Sequence, residues 1–172
     1  ARSPSPGAAN LVPVFAHRLA DRERPITACA TRRPPRGPFL YDSADPNESL
    51  GLFSCLVFDP QLVFESRGRT ITIREKGGEQ IFETTSDPLA ELEKIMARFR
   101  FTPSEKLNHF AGGAIGYLGY DAVRSFDRTV PLSPHEGLGL PEALFVIAKT
   151  LNGFDHRVRA QCAMGNAFLQ GV

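Results

Sequence analysis

Between residues 39 and 85, apolar and polar positions alternate in short runs that predict an antiparallel sheet. The runs are rich in Phe, Val, Ile and Thr, and turn-forming pairs such as Asp59-Pro60 and Gly77-Gly78 separate them. The run "TITIRE" alternates at each position, as expected of a strand with one solvated face, whereas "LFSCLVF" is almost continuously apolar. We therefore predict an antiparallel meander in which "LFSCLVF" is the more deeply buried strand.

A different apolar spacing, at intervals of three and four residues, predicts a helix in "SDPLAELEKIMARFRF". Its apolar face comprises Leu89, Leu92, Ile95, Met96 and Phe99. Asp87 can cap the first turn, and Pro88 suits the first helical position, where its missing N–H needs no partner. We expect this face to pack in the core and not around a cofactor.

The N-terminal part of the chain combines three patterns. The stretch "ARSPSPGAAN" is small and Pro-rich, so residues 1–10 are predicted to form a flexible arm. From Pro13 onward, the helical spacing of Val14, Phe15, Ala16 and Leu19 predicts a short amphipathic helix. The stretch "TRRPPRGP" favours extended backbone and predicts a loop.

The C-terminal part predicts strands separated by a short helix and a loop. Glycines interrupt the strand-like "HFAGGAIGYLG", "YDAVRSFD" predicts about two turns of helix, and residues 131–141 predict a loop. The runs "EALFVIAKT" and "RVRAQCAM" flank "LNGFDH", in which Asn152-Gly153 predicts a hairpin turn. Because no internal repeat or linker divides the chain, residues 11–172 are predicted to form a single α+β domain.

The composition argues against several classes of partner. Lys and Arg number 20 and Asp and Glu 19, and the basic run at Arg32, Arg33 and Arg36 has no interleaved aromatic residues, so no nucleic-acid partner is predicted. No apolar run approaches the roughly 20 residues of a membrane-spanning helix, so no membrane partner is predicted either. The three cysteines form no C-x-x-C pair, which predicts buried free thiols and a cytoplasmic location.

Four glycines concentrate in one segment, at Gly112, Gly113, Gly116 and Gly119. They do not spell G-x-G-x-x-G, and no G-K-[ST] follows, so the segment lacks the features of a dinucleotide or phosphate site. Glycine within a strand usually marks a bulge, a bend or a close approach of other backbone. We predict that these glycines shape the chain and do not bind a ligand.

The same segment carries a resemblance to a known family. "FAGGAIGYLGYDAVRSFD", followed by "LGLPEALFVIAKTLNGFDH", resembles the N-terminal half of anthranilate synthase component I and of its relative aminodeoxychorismate synthase component I. The resemblance extends back through "PFLYDSADPNESLGLFSCLVFDPQLVFESRG". It implies the fold of the chorismate-utilising enzymes, which is an α+β fold with a mainly antiparallel two-layer sheet and a few packed helices. It also implies that Asp121 and Arg124 hold the short helix in place.

The resemblance implies an effector site for tryptophan. The Glu-Ser pair of the family's Leu-Glu-Ser motif matches Asp42 and Ser43, whereas Leu52 stands where the family has a basic residue. A carboxylate can pair with an amino-acid ammonium, and a hydroxyl can both donate and accept a hydrogen bond. An alternative interpretation is a plain strand end at which Asp42 and Ser43 make local hydrogen bonds before a turn.

The family's chorismate-binding residues, Mg²⁺ ligands and catalytic His belong to a C-terminal half that lies beyond the resemblance. The chain is therefore expected to be the N-terminal part of a larger enzyme, inactive alone and with no catalytic residue or metal ligand of its own. Its scattered histidines agree, since none has metal-ligand spacing; they are His17, His109, His135 and His156. For the full-length enzyme the resemblance implies Mg²⁺, the C-terminal chorismate-binding half and a glutamine amidotransferase subunit.

The implied reaction converts chorismate and ammonia, drawn from glutamine, to anthranilate in tryptophan biosynthesis. Two alternatives stay open at the level of sequence. Aminodeoxychorismate synthase component I, of folate biosynthesis, shares the glycine motif. A non-catalytic amino-acid-binding or interaction module would use the Asp42 and Ser43 region or an exposed sheet edge.

Overall fold

The computed structural model describes residues 10–19, 24–31, 39–42, 53–100, 112–127, 129–131 and 138–168. In chain order, its elements are β1 Leu11–Leu19, α1 Pro25–Thr31, β2 Phe39–Tyr41, β3 Phe53–Phe58, β4 Leu62–Arg67, β5 Thr70–Glu75, β6 Gly78–Glu83, α2 Pro88–Met96, β7 Ala114–Leu118, a 3₁₀ helix Tyr120–Ser125, β8 Ala143–Ile147, β9 Thr150–Asp155 and β10 Ala160–Phe168. The predicted flexible arm, apart from Asn10, lies outside the described residues, as does the predicted loop at residues 32–38.

Two five-stranded sheets dominate the described part of the chain. The first has the strand order β1-β10-β9-β3-β2, and the second has the order β6-β5-β4-β8-β7. Each of these strand pairs is antiparallel. The prediction of an α+β fold made mainly of antiparallel sheet with few helices is confirmed.

The described residues divide into two compact units, and each unit contains one sheet. The first unit draws on Ala1–Pro60, Phe99–Gly112 and Ala148–Val172, and the second on Gln61–Arg98 and Gly113–Ile147. The predicted meander is therefore divided, because β3 and β4 belong to different sheets. The single domain expected over residues 11–172 stays a prediction, since two compact units can belong to one domain.

The core of the first unit forms where α1 covers its sheet. Ala28 of α1 is fully buried against Leu56 of β3 and Phe154 of β9. The partly buried residues Cys29, Leu40 and Phe58 pack around these three. The sequence did not predict α1, because its seven residues are too few to develop an apolar period.

The helix predicted from Pro13 is wrong, because these residues form β1. All nine residues of β1 pair with β10, from Leu11 opposite Phe168 to Leu19 opposite Ala160. Two of the residues that suggested an apolar helical stripe are exposed, Val14 at 65% and Leu19 at 75%. A short helix without a buried face is marginal in water, whereas the strand satisfies its backbone through a long ladder.

The hairpin turn predicted at Asn152-Gly153 is also wrong, because both residues lie inside β9. A two-residue type I′ turn requires positive φ at both positions, and neither residue has it. Gly153 pairs instead with Cys55 on one side and Cys162 on the other. The connection between β9 and β10 falls at residues 156–159, where Arg159 has φ +49°.

The second unit confirms the strand patterns that alternate most clearly. In β5, Ile71 and Ile73 are buried, whereas the intervening Thr72 is only half-buried, as the "TITIRE" pattern predicts. The central strand β4 pairs with β5 and β8, and its Leu62 and Phe64 are buried. The edge strand β6 is exposed along its whole length.

The helix α2 follows its prediction closely. Asp87 caps it, with Oδ1 accepting a hydrogen bond from the Leu89 backbone N–H at 2.8 Å, and Pro88 occupies the first turn. Leu92 and Ile95 are buried on its apolar face. The second predicted helix, "YDAVRSFD", is present as the 3₁₀ helix Tyr120–Ser125.

Candidate functional site

The candidate site lies in the first unit, where three neighbouring strands of its sheet begin or end. Asp42 directly follows β2, and His156 directly follows β9. Ser54 is the second residue of β3, the strand that pairs with both β2 and β9. The antiparallel order of these strands therefore brings three side chains together from distant parts of the sequence.

A chain of two hydrogen bonds joins these residues, which we call the Asp42–Ser54–His156 cluster. Ser54 Oγ donates to Asp42 Oδ1 at 2.6 Å, and the same Oγ lies 2.7 Å from His156 Nε2. A hydroxyl has one proton, and an ionised carboxylate can only accept, so the Ser54 proton points to Asp42. It follows that His156 Nε2 carries a hydrogen and donates it to Ser54.

The cluster contains the residue types of a catalytic triad but not its geometry. In such a triad the carboxylate contacts the imidazole, and the serine passes its proton to that imidazole. Here the carboxylate takes the serine proton, and Ser54 is only 1% exposed, so its Oγ is not accessible to a substrate. The arrangement is suited to holding a carboxylate in place and not to nucleophilic attack.

A second charged pair lies at the same end of the sheet. Asp155, the last residue of β9, accepts a hydrogen bond from the Arg157 backbone N–H at 2.9 Å and contacts its guanidinium at 3.4 Å. Burial raises the pKa of Asp155, but hydrogen bonds from Arg157 and Val158 outweigh it and hold that pKa below its ordinary value. The Arg157 guanidinium also lies over the Phe53 ring, 5.1 Å from the centroid.

Of the two predicted effector residues, the structure describes one. Asp42 is exposed, and Ser43 lies outside the described residues, as does Leu52. No motif in the sequence points to Ser54, and His156 has no metal-ligand spacing. The two hydrogen bonds join positions that lie 12 and 102 residues apart, which no spacing within the sequence links.

The glycine segment lies in the second unit, apart from Gly112, and its residues have two different geometries. Gly112 and Gly113 have φ values of +146° and +122°, a backbone conformation that residues with a Cβ rarely adopt. Gly116 lies so close to β8 that an added Cβ would be 1.8 Å from the Leu144 carbonyl oxygen. Gly119 donates a backbone hydrogen bond to the Glu142 carbonyl at 2.6 Å. These geometries are those of a bend followed by a close approach of two strands.

Asp121 and Arg124 form an ion pair along the 3₁₀ helix, at 2.7 Å between Asp121 Oδ1 and Arg124 Nη2. The pair is partly open to solvent, and exposed pairs of this kind contribute about 0–1 kcal/mol. Ala122, between them in sequence, is buried. That the pair holds the helix in place stays a prediction.

Within the residues that the structure describes, no group of three or more His, Cys, Asp or Glu side chains could hold a metal ion. Nor does any described helix have the length and apolar character needed to cross a membrane. The three cysteines are free thiols. Burial raises the pKa of Cys55, against an opposing hydrogen bond at the Tyr41 backbone, and burial also raises the pKa of Cys162, so both thiols are poor nucleophiles.

Curated proteins of one kind match most of the chain. The chain is 33% identical over 147 residues to anthranilate synthase component 1 of Acetivibrio thermocellus, an alignment that covers 86% of this chain and 29% of that protein. It is 29% identical over 167 residues to anthranilate synthase component 1 of Synechocystis, covering 94% of this chain and 32% of that protein. The chain thus spans about a third or less of the length of these relatives.

A solved structure supports the fold. The crystal structure of anthranilate synthase component I from Streptococcus pneumoniae covers 90% of this chain, with a TM-score of 0.50 and 20% sequence identity, and the match spans 31% of that chain. No protein-family model matches the sequence.

Proposed function

Because the chain corresponds to the N-terminal region of anthranilate synthase component I, we propose that it is part of an enzyme that converts chorismate and ammonia to anthranilate in tryptophan biosynthesis. The observation that carries this proposal is the 33% identity to a relative of that name across 86% of the chain. The proposal assigns chorismate and Mg²⁺ to the C-terminal half of the full-length enzyme. It also includes a glutamine amidotransferase subunit as the source of ammonia.

The proposal gives the N-terminal region a regulatory role, in which tryptophan binds beside Asp42. The Asp42 carboxylate would pair with the ammonium of the effector, and the Ser43 hydroxyl would hydrogen-bond to it. Two observations support this role. Asp42 is exposed, and its Oδ2 has no hydrogen-bond partner in the part of the chain that the structure describes, whereas Oδ1 is bound by Ser54. A cytoplasmic location completes the proposal, since the three free thiols persist in a reducing compartment.

The reaction is tested on the full-length protein that contains this segment. With chorismate, ammonia and Mg²⁺, we expect anthranilate, and accumulation of aminodeoxychorismate instead would contradict the assignment. The 172-residue chain alone is the matched comparison, and we expect no turnover from it. Anthranilate formed by the chain alone would show that it contains a chorismate site, contrary to the proposal.

The effector site is tested by tryptophan titration of the full-length enzyme. Ser43→Ala leaves a polar group of the ligand without its partner, which costs about 1–3 kcal/mol, so the tryptophan concentration for half-inhibition should rise roughly 5-fold to 150-fold. Asp42→Asn should act in the same direction by removing the charge that pairs with the ammonium. Uninhibited turnover should be nearly unchanged in both variants, because the active site belongs to the other half.

A matched control uses a second exposed carboxylate of the same unit. Asp59 lies after β3 and pairs with Lys149 at 3.1 Å, away from the cluster. Asp59→Asn should leave tryptophan inhibition unchanged. Equal inhibition curves for Ser43→Ala and wild type would remove Ser43 from the site, and a parallel loss of uninhibited activity would assign the residue to the fold. Direct binding can also be followed on the chain, because it contains no tryptophan residue and indole emission reports the ligand alone.

A further inference from the structure

An exposed aspartate normally turns freely about its side-chain bonds, but Asp42 does not have this freedom. Its Oδ1 accepts a 2.6 Å hydrogen bond from Ser54, whose side chain is 1% exposed. Ser54 itself is fixed by its place in β3, between β2 and β9 in the ladder. The carboxylate is therefore anchored through one oxygen to a rigid part of the sheet, and the other oxygen takes no part in that bond.

The serine anchor has a fixed orientation only if its hydroxyl proton is fixed. A hydroxyl can rotate about its C–O bond, and a lone serine would share its proton among several acceptors. His156 Nε2, 2.7 Å from the oxygen, supplies a donor to the same hydroxyl. The proton of Ser54 is thereby directed to Asp42, and two consecutive hydrogen bonds of one sense strengthen each other.

The imidazole is supported in turn by the connection between β9 and β10. His156 follows Asp155, and the Asp155 carboxylate accepts hydrogen bonds from the backbone N–H groups of Arg157 and Val158. These bonds fix the backbone on both sides of His156. The imidazole is thus carried by a turn that is itself tied to the end of a central strand.

We propose that Ser54 and His156 are positioning residues for the effector site, which orient the Asp42 carboxylate so that Oδ2 is presented to the ammonium of an amino acid. This inference rests on the proposed function, because it assigns a support to the same site. Neither residue touches the effector. Preorganisation of this kind improves affinity by lowering the conformational cost of binding.

The inference is tested by tryptophan inhibition of the full-length enzyme carrying Ser54→Ala, His156→Phe or His156→Gln. Ser54→Ala and His156→Phe should each raise the concentration for half-inhibition by about tenfold, with uninhibited turnover retained. His156→Gln keeps an N–H donor on a side chain of similar reach and should restore most of the affinity. Rescue by glutamine would not be expected if the imidazole only filled space.

Two controls separate positioning from folding. Ser66 is a buried serine of a strand in the second unit, 2% exposed, and Ser66→Ala tests the loss of a buried hydroxyl elsewhere. His17 is an exposed histidine of β1, outside the cluster, and His17→Phe tests the loss of an imidazole. Both variants should retain the wild-type inhibition curve.

A second measurement does not depend on the effector. In the 172-residue chain, long-range ¹⁵N–¹H correlation should find the His156 imidazole hydrogen on Nε2, and Ser54→Ala should shift that resonance. A wild-type imidazole with hydrogen only on Nδ1 would overturn the inference, whatever the inhibition data. Unchanged inhibition in Ser54→Ala, with wild type inhibited by tryptophan, would overturn the inference alone. If tryptophan does not inhibit the wild-type enzyme, the proposed effector site is wrong, and the inference is overturned with it.

Discussion

Gly116 and Leu144 approach each other so closely that no side chain fits between them. A Cβ atom on Gly116 would lie 1.8 Å from the Leu144 carbonyl oxygen and 2.7 Å from the Cα of Phe145. The neighbouring atoms are backbone of β8, which cannot swing aside as a flexible side chain can. The glycine therefore permits β7 and β8 to pair at this point, where Gly116 stands opposite Phe145.

Replacing Gly116 should damage the second unit severely. We expect Gly116→Val to lower the free energy of unfolding by more than about 2 kcal/mol, because the branched side chain forces strain and overpacking against fixed backbone. Urea denaturation followed by circular dichroism measures the loss. Gly165→Ala is the matched control, since Gly165 is also a strand glycine and an added Cβ there meets nothing within 4 Å. Equal stability of Gly116→Val and wild type would contradict the geometry at β7.

Replacing Asn152 with an apolar residue should stabilise the fold. It is 2% exposed, and neither its Nδ2 nor its Oδ1 has a hydrogen-bond partner among the described residues. A buried polar group without a partner costs about 1–3 kcal/mol, so Asn152→Leu, which has the same branched side-chain skeleton, should raise the free energy of unfolding by about 1 kcal/mol. Chemical denaturation of both proteins provides the comparison.

The matched variant for this prediction is Asn166→Leu. Asn166 is also a buried strand asparagine, but its Nδ2 donates to the Ala148 carbonyl at 3.0 Å. The same substitution there removes a hydrogen bond and should destabilise the protein. A destabilised Asn152→Leu would indicate that its amide makes bonds that the structure does not contain.

Glu91 should contribute to stability in a pH-dependent way. Hydrogen bonds from Lys94, Thr84 and Ser86 hold the pKa of Glu91 below its ordinary value. Because the folded-state pKa is the lower one, this stabilisation is complete above the unfolded-state pKa of about 4.3 and is lost as pH falls through the folded-state pKa. The free energy of unfolding of wild type should therefore fall more steeply below about pH 4.3 than that of Glu91→Gln.

Lys94→Met provides an intermediate case, since it removes one of the three donors and leaves Thr84 and Ser86 in place. Its acid dependence should lie between those of wild type and Glu91→Gln. Denaturant titrations at a series of pH values give all three curves. Superimposable curves for wild type and Glu91→Gln would show that the network does not stabilise the charged carboxylate.

Arg159 should tolerate glycine better than a branched residue. It ends the connection between β9 and β10 with φ +49°, a conformation that costs an L-residue about 1–2 kcal/mol. Arg159→Gly relieves this strain but increases the freedom of the unfolded chain, so stability should change by no more than about 0.5 kcal/mol. Arg159→Val should lose about 1–2 kcal/mol, because a β-branched residue resists positive φ most strongly. Equal melting temperatures for Arg159→Gly and Arg159→Val would contradict this expectation.

Local chemistry in the sequence was enough to determine several elements of the fold. The Asp87 cap, Pro88 and the apolar spacing predict α2, and the alternation of "TITIRE" predicts β5 with its buried isoleucines. Gly68 and Gly78, at the turns on either side of β5, have positive φ as their turn positions require. Caps and tight turns act over about four residues, so a short window of sequence contains everything that decides them.

Pairing over long distances decided the rest. Residues 11–19 have helical apolar spacing but form a strand, because β10, nearly 150 positions later in the chain, pairs with all nine of them. Asn152-Gly153 is typical of a turn, but it is extended here because β3 and β10 pair with β9 on both sides. In each case the hydrogen bonds of a ladder outweigh a weak local preference.

The candidate site belongs to this second class. The resemblance in sequence indicated Asp42 and Ser43, but Ser54 and His156 lie 12 and 114 residues beyond Asp42 and meet it only through the order of β2, β3 and β9 in the sheet. The glycine segment divides in the same way, since its glycines are evident in the sequence and the contact of Gly116 with β8 is not. Sequence specifies the residue types available at each position, and only strand register specifies which of them come within hydrogen-bond distance.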